Sequence, residues 1–103
     1  MDRFAALAEP HRRRIVELLA AGERSSGALA QAFDLSPPAV SQHLKALREA
    51  GLVRVEVRAQ HRIYSLDHQG LAEMDAWIRR VRGFWNGRLD ALEAALEQEK
   101  ENE

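Results

Sequence analysis

Apolar residues recur at helical spacing through the first half of the chain. Phe4, Leu7 and Ala8 make a short stripe that predicts a first helix. Glu9-Pro10 opens a second, since proline suits a first turn whose N–H groups lack partners anyway. Ile15, Leu18 and Leu19 continue it, and Gly22 ends it. Ser25 caps a third helix with Leu29 and Phe33 on one face, and Asp34-Leu35 is a tight link. Ser36 caps a fourth helix, about residues 37–49, that starts with Pro37-Pro38. Val40, Leu44 and Leu47 form its buried stripe, and Gly51 stops it.

The period then changes from helix to strand. Val53, Val55 and Val57 alternate with Arg54, Glu56 and Arg58, and His61-Arg62-Ile63-Tyr64-Ser65-Leu66 follows. Pairing about Ala59-Gln60 sets Val53 opposite Leu66 and Val55 opposite Tyr64 on one face, with Arg54, Arg58 and His61 on the other. Ala-Gln is a poor two-residue primed turn, so a four-residue loop from Arg58 to His61 is expected. The ribbon covers about residues 53–66. One long helix, about 69–99, closes the pattern. Leu71, Met74, Ile78, Val81, Trp85, Leu89, Leu92 and Leu96 follow at intervals of 3, 4, 3, 4, 4, 3 and 4, a heptad with one stutter. Gly83 and Gly87 lie near the stutter and mark either a kink or the close approach of another backbone. Gln98 to Glu103 are polar and expected to fray. The fold class is mainly α with a small β-hairpin, read as a single domain over 1–103.

Composition narrows the functions available. The 103 residues suit one ordinary domain, and 46% hydrophobic content suits one modest core that a second subunit would extend. No cysteine is present, which removes disulfides and thiolate chemistry and fits a reducing cytoplasm. No run of about 18 apolar residues occurs, and Met1-Asp2-Arg3 leads straight into helix without a signal-peptide pattern. The expected location is cytoplasmic. Net charge is −1, but it is unevenly spread. Through Leu66 there are 10 Lys and Arg against 7 Asp and Glu, a balance of +3; from Asp67 onward there are 5 against 9, a balance of −4. One part of the chain is suited to an anion and the other to a different task.

Two short helices joined by about three residues must cross steeply, the helix-turn-helix arrangement. The outward face of the second carries Pro38, Ala39, Ser41, Gln42, Lys45 and Arg48, uncharged at its start and basic further on. A major groove admits such a helix, and the ribbon with Arg54, Arg58, His61 and Arg62 then meets the phosphates. Double-stranded DNA is the expected partner. The plainer reading is a small helical domain with a solvated charged face. The alternative function is a helical protein-interaction module acting through the long last helix.

The segment Leu35-Ser36-Pro37-Pro38-Ala39-Val40-Ser41-Gln42-His43-Leu44-Lys45-Ala46-Leu47-Arg48-Glu49-Ala50-Gly51-Leu52-Val53 resembles the recognition-helix segment of ArsR-type winged-helix repressors. Leu7-Ala8-Glu9-Pro10-His11-Arg12 resembles that family's second-helix entry, and Arg62-Ile63-Tyr64-Ser65-Leu66 its second wing strand. The resemblance is close over residues 4–66 and loose in the last helix. It implies a winged helix-turn-helix homodimer on an inverted repeat, repressing transcription. The subunits would join through the first and last helices, by Phe4, Leu7, Leu71, Met74, Ile78, Val81, Trp85, Leu89 and Leu92. The DNA-binding set is Ser36, Pro38, Ala39, Ser41, Gln42, His43, Lys45, Arg48, Arg58, His61 and Arg62. Pro37, Pro38 and Ala39 stand where the family often has polar residues, which leaves Gln42 as the best direct reader of bases. The wing tip also lacks the family's common glycine.

The resemblance does not extend to metal sensing. One family site needs cysteines near the third helix, where this chain has Arg24-Ser25-Ser26-Gly27. Another needs Asp-x-His and, about eleven residues on, His-x-x-Glu; here Asp67-His68-Gln69 is followed by Arg80 and Gly83. His11, His43, His61 and His68 make no ligand-spaced pair, so no metal and no cofactor is expected. No nucleophile–base spacing and no Gly-rich phosphate loop occurs, so no enzyme is expected. Trp77, Phe84 and Trp85 have two readings: core and dimer packing, or a pocket for a small hydrophobic effector at the dimer junction.

Overall fold

The computed structural model describes residues 2–102. The elements run α1 (Arg3–Leu7), α2 (Pro10–Ala20), β1 (Arg24–Ser25), α3 (Ser26–Ala32), α4 (Pro37–Glu49), β2 (Val53–Arg58), β3 (His61–Leu66) and α5 (His68–Glu101). Ser25 and Ser36 cap their helices as expected, and Glu9 is found to cap α2. Glu9 accepts from the Arg12 N–H at 2.8 Å, Ser25 from Ala28 at 3.1 Å and Ser36 from Ala39 at 3.3 Å. The two prolines after Ser36 occupy the first turn of α4.

α4 ends in a Schellman motif. The Leu52 N–H donates to the Leu47 carbonyl and the Gly51 N–H to the Arg48 carbonyl, both at 3.0 Å. Gly51 takes φ +76°, a left-handed conformation that costs glycine little. Leu52 is thereby turned into the core and the chain is aimed into β2. After β3, the Asp67 carboxylate accepts from the N–H groups of Gln69 and Gly70 and starts α5. Gly70 lies so close to α4's end that a Cβ on it would stand 1.9 Å from the Gly51 carbonyl oxygen.

Much of the core is the set that periodicity selects, but in α1 it is Ala6 that is buried while Phe4 and Ala8 are exposed. Ile15, Leu29, Val40, Leu44, Leu47, Leu52 and Val53 are fully buried, joined by Ala6, Leu19 and Tyr64. Burial of each large aliphatic side chain contributes roughly 1.5–3 kcal/mol. The α4 stripe Val40, Leu44 and Leu47 therefore fixes which face of that helix turns outward.

The sheet is antiparallel with order β1-β3-β2. β2 and β3 pair in the expected register, Val53 with Leu66 and Val55 with Tyr64. Two points differ from the sequence reading. The ladder continues to an Arg58–His61 pair, so the connection is the two-residue turn Ala59-Gln60 and not a four-residue loop. Ala59 accepts φ +55° to make it, because a primed-type turn follows the strand twist and keeps one more pair in the ladder. Arg24-Ser25 adds a short third strand, Arg24 opposite Tyr64 and Ser25 opposite Ile63. Two residues carry no alternation, so only the edge of β3 reveals it.

The chain forms two compact units, divided between Leu71 and Ala72. The first holds the helices and the hairpin, and the second is helical. In the second, α5 runs unbroken through Gly83 and Gly87 to Glu101, including residues expected to fray; Glu103 lies outside the described residues. Trp85, Leu89, Leu92 and Leu96 are all more than half exposed on it.

Candidate nucleic-acid interface

With Val40, Leu44 and Leu47 buried, α4 presents Pro38, Ser41, Gln42, Lys45 and Arg48 as exposed residues, with Ala39 half-buried. Ser41, Lys45 and Arg48 lie at i, i+4 and i+7, one continuous stripe. Beside it lies an open concavity of about 370 Å³, lined by Ser26, Ser41, Lys45, Arg48, Arg62 and Tyr64. It joins the start of α3, the outward face of α4 and β3. Three cations and two aliphatic hydroxyls therefore surround one space. Lys45 has only a loose i,i+4 partner, Glu49 at 4.0 Å. Among the described residues, Arg48 and Arg62 have no carboxylate in ion-pair range. Like charges grouped without counter-charge favour an anion, and Ser and backbone-proximal hydroxyls add donors for phosphate oxygens. Ser26 and Tyr64 were not legible as part of this surface; their place depends on β1 pairing with β3.

Residues 7–56 match the family described as helix-turn-helix domain. Across 86 residues the chain is 43% identical to the HTH-type transcriptional regulator Rv2034 of Mycobacterium tuberculosis, covering 79% of this chain and 80% of that one. It is 33% identical over 75 residues to the transcriptional repressor SdpR of Bacillus subtilis, 73% of this chain and 83% of the relative. The solved structure of an ArsR-like transcriptional regulator from Rhodococcus sp. RHA1 superposes with a TM-score of 0.76 at 29% identity, over 86% of this chain and 84% of that one. The chain belongs to the ArsR family. It is a winged helix-turn-helix, DNA-binding transcription regulator, and the reading as a protein-interaction module gives way.

Set on this ArsR-family frame, two residues of the expected DNA set have other neighbours. His43 is turned from the outward face of α4 toward α2. Its Nδ1 lies 3.7 Å from Glu9 Oε2, and its ring stacks on His11 with centroids 5.6 Å apart and planes at 20°. The reason is positional: one residue before Leu44, it sits at the border of the buried stripe. It is half-buried and packs against Glu9 and His11. Arg58 is held by two carboxylates. Its guanidinium pairs bidentately with Glu23, including a 3.1 Å contact to Oε2, and its Nη2 donates to Glu56 at 2.9 Å. The Glu23 hydrogen bond comes first among the causes that raise its pKa and lower that of Glu23. Arg58 therefore braces the wing against the segment before β1, whereas Arg54 and Arg62 on the same ribbon have no carboxylate in ion-pair range among the described residues. His61 remains at the exposed tip beside the turn.

Glu9 joins the two helices. Burial pushes its carboxyl up, but the His11 side-chain hydrogen bond, the backbone N–H groups of Arg12 and His11 and the His43 charge outweigh this and hold it at about 2.

Proposed function

We propose that this ArsR-family chain is a homodimeric repressor that binds an inverted-repeat operator. The observation that carries the reading is the Lys45–Arg48–Arg62 concavity next to the exposed α4 stripe that bears Gln42. α4 enters the major groove with its N-terminal part toward the bases. Gln42 pairs through its amide with an adenine edge, and Pro38 and Ala39 touch thymine methyls. Ser36 and Ser41 donate to phosphate oxygens, while Lys45, Arg48 and Arg62 neutralise them. Arg58 and His61 lie at the wing's far end and contribute where the backbone passes.

Dimerisation is supported by the second unit's apolar stripe. Ile78, Val81, Trp85, Leu89 and Leu92 are between 39% and 58% exposed, too much apolar surface to remain in water. Earlier in α5, Leu71 is half-buried and Met74 is buried; these two, with Phe4 and Leu7 of α1, are the other residues assigned to the interface. Repression is favoured by the likeness to the Bacillus subtilis relative, a transcriptional repressor. No catalytic role is assigned. No helix among the described residues is long and apolar enough to cross a membrane. The proposed operator binding places the protein's work in the cytoplasm, with the DNA.

The test separates readout from affinity. An operator is first recovered by selecting bound fragments from genomic DNA. Gln42→Ala should then flatten preference at one base pair per half-site, about 1–3 kcal/mol of discrimination, with the salt slope unchanged. Arg62→Ala should weaken operator and scrambled DNA alike and reduce the salt slope by about one unit. If Gln42→Ala weakened both DNAs equally, the assigned docking would be wrong.

A further inference from the structure

Of the four histidines, two meet although 32 positions separate them in sequence. His11 stands in the first turn of α2 and His43 in the middle of α4, and their imidazoles stack as described. Both Nδ1 atoms face the same carboxylate: His11 Nδ1 is 2.8 Å from Glu9 Oε1, and His43 Nδ1 is 3.7 Å from Glu9 Oε2. One ligand atom from each of the three residues can be chosen so that all lie within 4.8 Å of one another. The Phe33 ring meets His11 edge-on, with centroids 6.4 Å apart. We infer that Glu9, His11 and His43 form a binding site for one zinc-class divalent cation at the joint between α2 and the recognition helix.

The donor set selects the ion. Two imidazole nitrogens with one carboxylate oxygen suit zinc, cobalt and nickel, whereas calcium and magnesium require oxygen donors almost throughout. Tetrahedral zinc with bonds near 2.0–2.2 Å separates its ligand atoms by about 3.4 Å, so the cluster must contract by roughly an ångström. His11 is exposed and has the rotamer freedom to do so. Glu9 remains anionic throughout the neutral range, and one of its oxygens is left for the ion while the other keeps the Arg12 N–H that caps α2. Water fills the fourth position. The site is distinct from both places where the family resemblance would put a metal, neither of which has its ligands here. The expectation of no metal weighed ligand spacing along the chain, and these three residues meet only across two helices. A cation there would tie α4 to α2, so its occupancy would set how firmly the DNA-reading helix is held. The inference does not rest on the operator model, and its test uses no DNA.

Full-length protein, stripped with a chelator, is titrated with zinc against a chromophoric zinc indicator at neutral pH. One zinc per chain should bind at micromolar concentration. Cobalt(II) in its place should give the intense visible bands of a four-coordinate ion. His11→Gln, at an exposed position, should keep the helical circular dichroism and lose at least tenfold in zinc affinity. Glu9→Gln keeps a capping oxygen and should lose a similar factor, while His68→Gln should change nothing. The inference is overturned if zinc binds only at millimolar concentration, if stoichiometric binding survives both His11→Gln and Glu9→Gln, or if it is lost in His68→Gln.

Discussion

Replacing Gly70 with alanine should damage this protein far more than its single added methyl suggests. The new Cβ would stand 1.9 Å from the Gly51 carbonyl oxygen and 3.0 Å from its carbon, with Arg3 Nε at 3.1 Å. A carbon and an oxygen without a bond between them need about 3.2 Å or more, so the two segments must part by over an ångström. Neither yields easily. Gly51 is fixed by the Schellman bonds that end α4, and Gly70 by the Asp67 cap that starts α5. Forced overpacking costs typically 1–3 kcal/mol, and a clash of backbone with backbone belongs at the upper end or beyond. For a domain of this size, 3 kcal/mol lowers the melting temperature by roughly 12–24 °C and is a large part of a total stability of about 5–15 kcal/mol. Thermal and urea unfolding followed by circular dichroism, at equal protein concentrations, would measure it. Gly87→Ala is the control: nothing lies within 4 Å of its added Cβ, and alanine should favour the helix by about 1 kcal/mol. A Gly70→Ala protein that melted within two or three degrees of the parent would refute the close approach of α4's end to α5's start. A loss of stability in Gly87→Ala would instead indicate that another backbone packs at that glycine.

Three further outcomes are expected. Ala59→Gly should stabilise the hairpin by about 1 kcal/mol, since glycine meets φ +55° without the steric cost alanine bears; a destabilised variant would argue against the two-residue turn. Glu9 titrates at about 2 in the folded chain against an ordinary 4.5, so the unfolded state binds more protons between these values. Its contribution is complete above pH 4.5 and is lost as pH falls through about 2; urea midpoints from pH 5 down to 3 should fall less steeply in Glu9→Gln than in the parent. Leu89→Glu, on the exposed face of α5, should shift sedimentation toward the monomer, and an unchanged dimer would move the interface elsewhere.

The sequence by itself determined the helices, their caps, the outward face of α4 and the hairpin register, because each of these is a short-range pattern. A serine before two prolines caps a helix whatever surrounds it, and a period of two or 3.6 decides which side chains share a face. It also carried enough of the α4–wing segment to place the chain in its family. The tertiary structure alone decided what lies across the chain from what. Arg58 reads as a wing cation until folding brings it to Glu23, 35 positions earlier. His43 reads as one of the DNA-binding set until folding brings Glu9 and His11 of the α2 start against it. Arg62, Lys45, Arg48 and Ser26 come from three elements, and only β1 pairing with β3 gathers them around one concavity. In the turn, the bond gained by one more ladder pair outweighed the unfavourable φ of Ala59, a balance that turn propensity alone decides the other way. Local periodicity carries no information about such meetings, since the residues involved share no helix face or strand pair until the chain has folded.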